Sequence, residues 1–393
     1  MSYNLQNREG IWAIALRSLI QIVRRPVYWF GFLFLPLFMF LFLTSMFESG
    51  LPTRVPAAMV DRDGSAMSRE LTQQLEGMQM VNFTETANSF SEARKLMQEG
   101  KIYGFFLIPE NFQADVLSGR EPVLTFYTNM SYFVPGTMLF KSFKTTATYT
   151  KAGLILNVAN SLGADGAELS SMVMPVQIQA RGLGNPWLNY GIYLGNSFVP
   201  CALELMIFLM TCFTLCQEIK YHTSPQLMRM AGGSIVKAVF GKLLPQTFLW
   251  SVMSVFMLSW LYRYNDYPMH GSWLWMIISE IMFVLACQGF ALFWVCVFTN
   301  LRMSLSVSAL IGILAFSIAA FSFPVESMYG GVAIFSYIVP VRFNFLIYID
   351  QALNGIDIAY SKYYFIGYII FIVLPFTMLW KLKKAYLKPV YAP

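Results

Sequence analysis

Charge is what this sequence has least of. Asp, Glu, Lys and Arg make up 12% of its 393 residues while 56% are hydrophobic, above the roughly 45–50% of soluble domains. A water-soluble fold could not cover so much apolar surface, and that class is excluded. Histidine is scarce: His222 and His270 fall in different loops without a ligand-spaced neighbour. A metal site needs three or four converging donors, so none is expected. All five cysteines, Cys201, Cys212, Cys216, Cys287 and Cys296, lie inside apolar runs and the long polar region has none. That excludes a disulfide framework and leaves them as packing residues. The net charge of +6 comes from basic residues at the ends of apolar runs, which is the wrong placement for a nucleic-acid stripe, and no nucleic-acid partner is expected.

What the chain does have is apolar runs of about 20 residues, the length a helix needs to cross a hydrocarbon core of about 30 Å. Six spans are expected, at residues 27–47, 190–216, 243–261, 273–298, 303–323 and 363–380. The first ends in Thr44-Ser45-Met46-Phe47-Glu48 with no small-x-small cleavage pattern, so it is expected to stay in the mature chain. Arg8, Arg17, Arg24 and Arg25 precede it, Lys220, Arg229, Lys237 and Lys242 follow the second span, Arg302 follows the fourth, and Lys381, Lys383, Lys384 and Lys388 follow the last. Only Glu9 and Glu218 oppose them, and the opposite loops carry just Arg263, Arg342 and Lys362. The positive-inside rule then puts both termini in the cytoplasm of an inner-membrane protein. Residues 1–26 are expected to hold an interfacial elbow helix that breaks at Pro26, and residues 381–393 a cytoplasmic tail.

Residues 48–189 are mixed in composition and long enough for a domain with its own core outside the membrane. Patterning gives strands at 54–60, 80–84, 104–108 and 123–127 and helices at 65–76, 89–99 and 110–117, an α/β alternation. One long helix at 134–162 follows. This region has no histidine, cysteine, Gly-rich phosphate loop or G-x-S-x-G elbow, so the usual nucleophile and base pairings are missing. Asp61 and Asp63 invite a paired-carboxylate role, but Arg62 between them and Gly64 after them favour a capped turn.

Inside the spans, Glu204 and Glu280 each cost about 2.5–3.5 kcal/mol unless they face water, a partner or become protonated. Both are expected to face protein or a cavity. For Glu204, near Asn196 and Pro200, a place on a substrate route and an interhelical hydrogen bond both stand open; for Glu280 packing is favoured. The phenylalanines crowding the first span are read as packing and lipid-facing residues. Residues 332–353 are apolar but broken by Pro340, Arg342, Asn344 and Asp350, so a re-entrant segment over 324–362 is expected in place of a seventh span.

Several motifs then fall in a telling order. Ala58-Met59-Val60-Asp61-Arg62-Asp63, Ile108-Pro109-Glu110-Asn111-Phe112, Phe323-Pro324-Val325-Glu326-Ser327-Met328, Ile338-Val339-Pro340 and Gly241-Lys242-Leu243-Leu244-Pro245 together resemble the permeases of ABC-2 type transporters with a large extracytoplasmic domain. Glu218, Thr223, Gln226 and Leu227 are similar to that family's coupling stretch, although Gln217 stands where the family has arginine and His222 where it has glycine. The resemblance implies an α-helical polytopic membrane protein of the type V exporter transmembrane fold with six helices and an inserted α/β domain. It implies that residues 217–242 form a coupling loop in which Thr223, Gln226, Leu227, Met228, Arg229 and Gly232 meet the ATPase. It implies substrate-path positions at Asn196, Glu204 and Phe316, and an exit segment with Phe323, Pro324, Glu326 and Pro340. An ordinary basic loop held by headgroups is the plainer account of 217–242.

No P-loop is present: beside Gly241-Lys242, the required glycine and hydroxyl positions hold Val236 and Leu243. The chain is therefore expected to be no enzyme and to carry no cofactor itself, with ATP and magnesium bound by a partner ATPase. Further partners implied are a second copy or a similar permease, membrane lipid and a periplasmic adaptor. The activity implied is outward movement of a lipid, drug or other small molecule by alternating access. Two rivals stand beside it, a proton-coupled secondary transporter using Glu204 and a membrane sensor whose outer domain binds a ligand.

Overall fold

A computed structural model describes residues 9–48, 50, 53–78, 80–120, 122–161, 185, 189–321 and 323–390. Arg8, the last residue of the helix expected at 134–162 (Leu162), most of the outer-domain segment that follows it up to 189, and the end of the tail at 391–393 lie outside the described residues. The chain divides into two compact units, Leu51–Arg181 and the pair of segments Met1–Gly50 and Gly182–Pro393.

The unit Leu51–Arg181 is built on β1 Val55–Asp61, β2 Val81–Thr86, β3 Gly104–Ile108 and β4 Thr125–Thr128, in the order β2-β1-β3-β4. β1 is parallel to β2 and β3, and β4 is antiparallel to β3. Parallel neighbours need crossover helices, supplied here by Ala66–Glu76 and Phe90–Gln98. Because helices cover both faces, the alternation of β1 is apolar twice over. Ala57 and Met59 pack with Leu71, Phe106 and Phe143 on one face, while Ala58 and Val60 pack with Ala93, Ile102 and Phe105 on the other. The long helix Phe133–Ser161 contributes Leu139 and Phe143 to the first face. Asp61 accepts hydrogen bonds from the amides of Asp63 and Gly64, at 2.9 and 3.1 Å, and from the Ser68 hydroxyl at 2.7 Å. Asp63 accepts from the Gln113 amide at 3.2 Å. The two carboxylates therefore hold a turn, with Gly64 at φ 63°.

The other unit is helical and, among the described residues, contains six helices long and apolar enough to cross a membrane: Pro26–Met46, Gly191–Lys220, Ile235–Arg263, Trp273–Val297, Leu301–Ile318 and Ile358–Thr377, spans 1 to 6 in order. An elbow helix, Ile11–Arg24, comes first. It stops because a residue before proline avoids α backbone: Arg25 sits at φ −105°, ψ 121°, and Pro26 opens span 1. The elbow buries Ala13, Ile14, Ser18 and Ile22 and leaves Trp12, Leu16, Leu19 and Val23 exposed. An exposed side that apolar suits the bilayer interface and would be a liability in water. It lies so close to span 3 that a Cβ on Gly241 would stand 2.9 Å from the Ile11 carbonyl oxygen.

Span 3 starts at Ile235, ahead of the 243 expected from the hydrophobic run. The Ser234 hydroxyl accepts from the Lys237 amide at 3.4 Å as its cap, and the following turns are helical although basic. Spans 2 and 5 approach through small residues. Cys212 meets Ser308 at 3.1 Å, Cys216 meets Ser304 at 3.6 Å, and a Cβ on Gly312 would come within 2.7 Å of Leu205 Cδ1. Apolar helices in lipid gain little from hydrophobicity against one another, so close backbone approach of this kind is what holds them. Between spans 5 and 6, Gly330–Ser336 and Pro340–Asn354 form a pair bent by 81°. Val339 is extended ahead of Pro340, which has no N–H and starts the second helix.

Candidate functional site

At the basic end of the spans a buried ionic joint ties five helices together. The Glu218 carboxylate, at the end of span 2, is 1% exposed. It pairs with Lys242 of span 3 and with Arg17 of the elbow, whose Nη2 donates at 3.0 Å, and it accepts the Thr223 hydroxyl. Lys242 Nζ also donates to Gln21 Oε1 at 2.8 Å, and the Ser18 hydroxyl donates to the Lys242 carbonyl at 2.8 Å. Beside it, Arg25 Nη1 donates to Gln217 Oε1 at 2.8 Å while the Gln217 amide donates to Tyr28 of span 1. Tyr386, on the last helix Leu379–Leu387, donates its hydroxyl to the Leu215 carbonyl at 2.9 Å. Two cations face the one buried carboxylate, which would be costly to leave unpaired, while Arg17 Nη1 is buried with no hydrogen-bond partner among the described residues.

Thr223 leads from this joint into a short helix, Ser224–Met230. Leu227, Met228 and Met230 are buried, Thr223 and Gln226 half-buried, and Arg229 and Gly232 exposed. The Gly10 amide donates to the Met230 carbonyl at 2.9 Å, so the elbow and this helix are joined through backbone. Gly232 and Gly233, at φ 60° and 74°, end it, with the Gly233 amide on the Met228 carbonyl at 2.9 Å, a left-handed helix stop. The exposed tip is thus Tyr221, His222, Arg229 and the two glycines. Gln21 was not named from the sequence, while Arg17 was read only as a charge flanking the first span and Gln217 only as a departure from the family's arginine. The usable signal was charge at the tips of apolar runs, with Glu218 and Lys242 at the facing ends of spans 2 and 3.

Farther along span 2, polar side chains converge from four helices. Tyr262 donates to Asn196 Oδ1 at 2.9 Å, and Glu280 accepts from Ser254 and from Asn344 Nδ2, the latter at 2.9 Å. With Tyr348 they line a cavity of about 30 Å³, large enough for a water molecule. Glu204 and Phe316 do not line it. Glu204 is fully buried and accepts from the Val341 amide at 2.7 Å and the Cys287 thiol at 3.9 Å, while its Oε1 finds no partner among the described residues. Phe316 of span 5 packs edge-on against Phe198 at 5.6 Å. A larger cavity of about 540 Å³ opens at the end of span 2 remote from Glu218, and Pro324, Glu326 and Arg342 are among its walls. Phe323 is exposed and Pro340 buried, and neither lines it.

Set against known proteins, residues 26–381 match the family model described as ABC-2 family transporter protein. No curated protein matches the chain.

Proposed function

The chain belongs to the ABC-2 family of transporter proteins, as a membrane subunit that works with an ATP-binding subunit, and we propose that it is the permease of an ATP-driven exporter, docked on its ATPase through Ser224–Met230. The observation that supports this most is the joint around Glu218. A push on the exposed Arg229 and Gly232 tip reaches spans 2 and 3 and the elbow through buried ion pairs and the Gly10–Met230 bond, with little slack for dissipation.

In this proposal both termini and the short helix face the cytoplasm of the inner membrane, and Leu51–Arg181 folds outside as an extracytoplasmic α/β domain within a type V exporter fold. Two permeases, identical or similar, enclose a cavity that alternates between inward and outward access as the ATPases close on ATP and magnesium. Asn196, Glu204 and Phe316 bear on the route, and Phe323, Pro324, Glu326 and Pro340 on its exit. A periplasmic adaptor fits an outer domain of this size, and lipid surrounds the spans.

The test is purification of the tagged chain from its native membranes together with the ATP-binding subunit it captures. The complex is expected to hydrolyse ATP while the chain alone does not, and Arg229→Glu is expected to weaken capture of the ATPase about ten-fold, the scale of one lost charged contact. Substrate movement by the chain alone on a proton gradient, without ATP, would overturn the proposal.

A further inference from the structure

The cavity of about 540 Å³ is walled largely by apolar and aromatic side chains, Tyr193, Phe321, Val325, Phe345 and Leu353 among them. It lies roughly 40 Å along span 2 from Glu218, at about 1.5 Å per residue. Its one cation among the described lining residues is Arg342, on the first turn of Pro340–Asn354 and only 7% exposed. The guanidinium stacks 4.6 Å over the Tyr337 ring and, among the described residues, makes one long hydrogen bond, from Nη1 to the Ala319 carbonyl at 3.3 Å. Its Nε–H is buried and meets no acceptor among the described residues. Glu326 lines the same cavity but is exposed, and the ion pairs among the described residues do not include Arg342.

An arginine cannot shed its proton and offers five N–H donors. Burying it with a single long bond is costly, and the cost is relieved by an anion taken up in the planar, two-pronged geometry that a carboxylate or phosphate matches. The cavity volume falls in the range of about 300–1,000 Å³ typical of small-molecule sites, which are mostly apolar with a few polar anchors. An inorganic anion would need none of those apolar walls. We propose that Arg342 anchors the anionic group of an amphiphile whose apolar body occupies this cavity. A membrane lipid and a transported amphiphile share that chemistry. The proposal rests on the exporter reading for its place at the exit, but binding itself can be measured without the ATPase.

The experiment uses the full chain in dodecyl maltoside with a photoactivatable palmitic acid and its methyl ester, and cross-links are mapped by mass spectrometry. The acid is expected to label residues 337–354 about ten-fold more than the ester, with Arg342→Gln abolishing the difference and Arg342→Lys keeping part of it. Lauryl phosphate is expected to compete and inorganic phosphate not to. Equal labelling by acid and ester in the wild-type chain, which needs no variant to fold, overturns the proposal, as does unchanged labelling in Arg342→Gln. Competition by inorganic phosphate as strong as that by lauryl phosphate overturns the amphiphile assignment. Repeating the labelling in phosphatidylcholine vesicles with and without phosphatidylglycerol separates the sources. Protection by phosphatidylglycerol identifies a resident lipid and undiminished labelling a smaller amphiphile, and either result supports the site. Loss of ATPase capture would sink the exporter reading while leaving the labelling pattern intact.

Discussion

Glu204 of span 2 accepts the amide of Val341 at 2.7 Å and so closes the N-terminus of a helix 137 residues further along the chain. The first helical residue there is Pro340, which has no N–H, so Val341 carries the first donor in need of an acceptor. A carboxylate at a helix N-terminus is also favoured by the helix dipole. This gives Glu204 a fixed partner that a route-lining or proton-carrying role does not require.

The substitution that separates those roles is Glu204→Gln, which keeps a carbonyl acceptor for Val341. It is expected to cost no more than about 1 kcal/mol and to leave transport by the permease–ATPase complex in place, whereas Glu204→Leu strands the amide and costs about 1–3 kcal/mol. Thermal unfolding in detergent and transport in vesicles read the two effects. Complete loss of transport in a stably folded Glu204→Gln would favour a proton carrier instead.

Breaking the joint at Glu218 should be expensive in a particular pattern. Lys242→Met or Glu218→Gln alone leaves a buried charge short of its partner and is expected to destabilise by about 3–5 kcal/mol, while the double substitution removes both charges and should recover most of that loss. Arg17 then lacks its carboxylate, so recovery is expected to be incomplete. A double-substitution cycle on unfolding midpoints measures the coupling, and simple additivity would show that the pair does not act as a unit.

How far the sequence carried depended on the range of each interaction. Span length and the α/β alternation are local signals, and the capped turn at Asp61 and the break at Pro26 follow from residues within a few positions. The start of span 3 did not follow, because Lys237 and Lys242 interrupt the apolar run ahead of Leu243, and Lys242 becomes part of the helical core only when Glu218 and the elbow cover it. Glu280 with Asn344, Glu204 with Val341 and Glu218 with Arg17 join helices far apart in the chain. Which face of each span turns toward which neighbour decides those pairs, and no short window of sequence holds that information. Arg342 read only as a charge on an opposite loop and an interruption of an apolar run for the same reason.

Sidedness can be tested with single cysteines, since the native five are all buried. Arg229→Cys and Glu70→Cys are both at exposed positions. A membrane-impermeant maleimide is expected to label Glu70→Cys on intact spheroplasts and Arg229→Cys only after the membrane is opened, as positive-inside charge placement requires. Labelling of Arg229→Cys from outside would invert the proposed topology and remove the docking site from the ATPase's reach.

Close approach of spans 2 and 5 sets the last expectation. A Cβ at residue 312 would stand 2.7 Å from Leu205 Cδ1, 3.2 Å from Leu205 Cβ and 3.2 Å from Leu205 Cα. Rotating the leucine side chain relieves the first contact but not the backbone one. Gly312→Val is therefore expected to push the helices apart at a cost of about 1–3 kcal/mol, the usual scale of overpacking, and to disturb the Cys212–Ser308 and Cys216–Ser304 contacts along the same seam. Leu205→Ala in that background frees the side-chain space and should restore part of the stability, although on its own it opens a gap and destabilises. Rescue of Gly312→Val by Leu205→Ala, read as a rise in the unfolding midpoint, would establish that this seam is set by volume. If the double variant were no more stable than Gly312→Val, the backbone contact alone would set the spacing of the two spans.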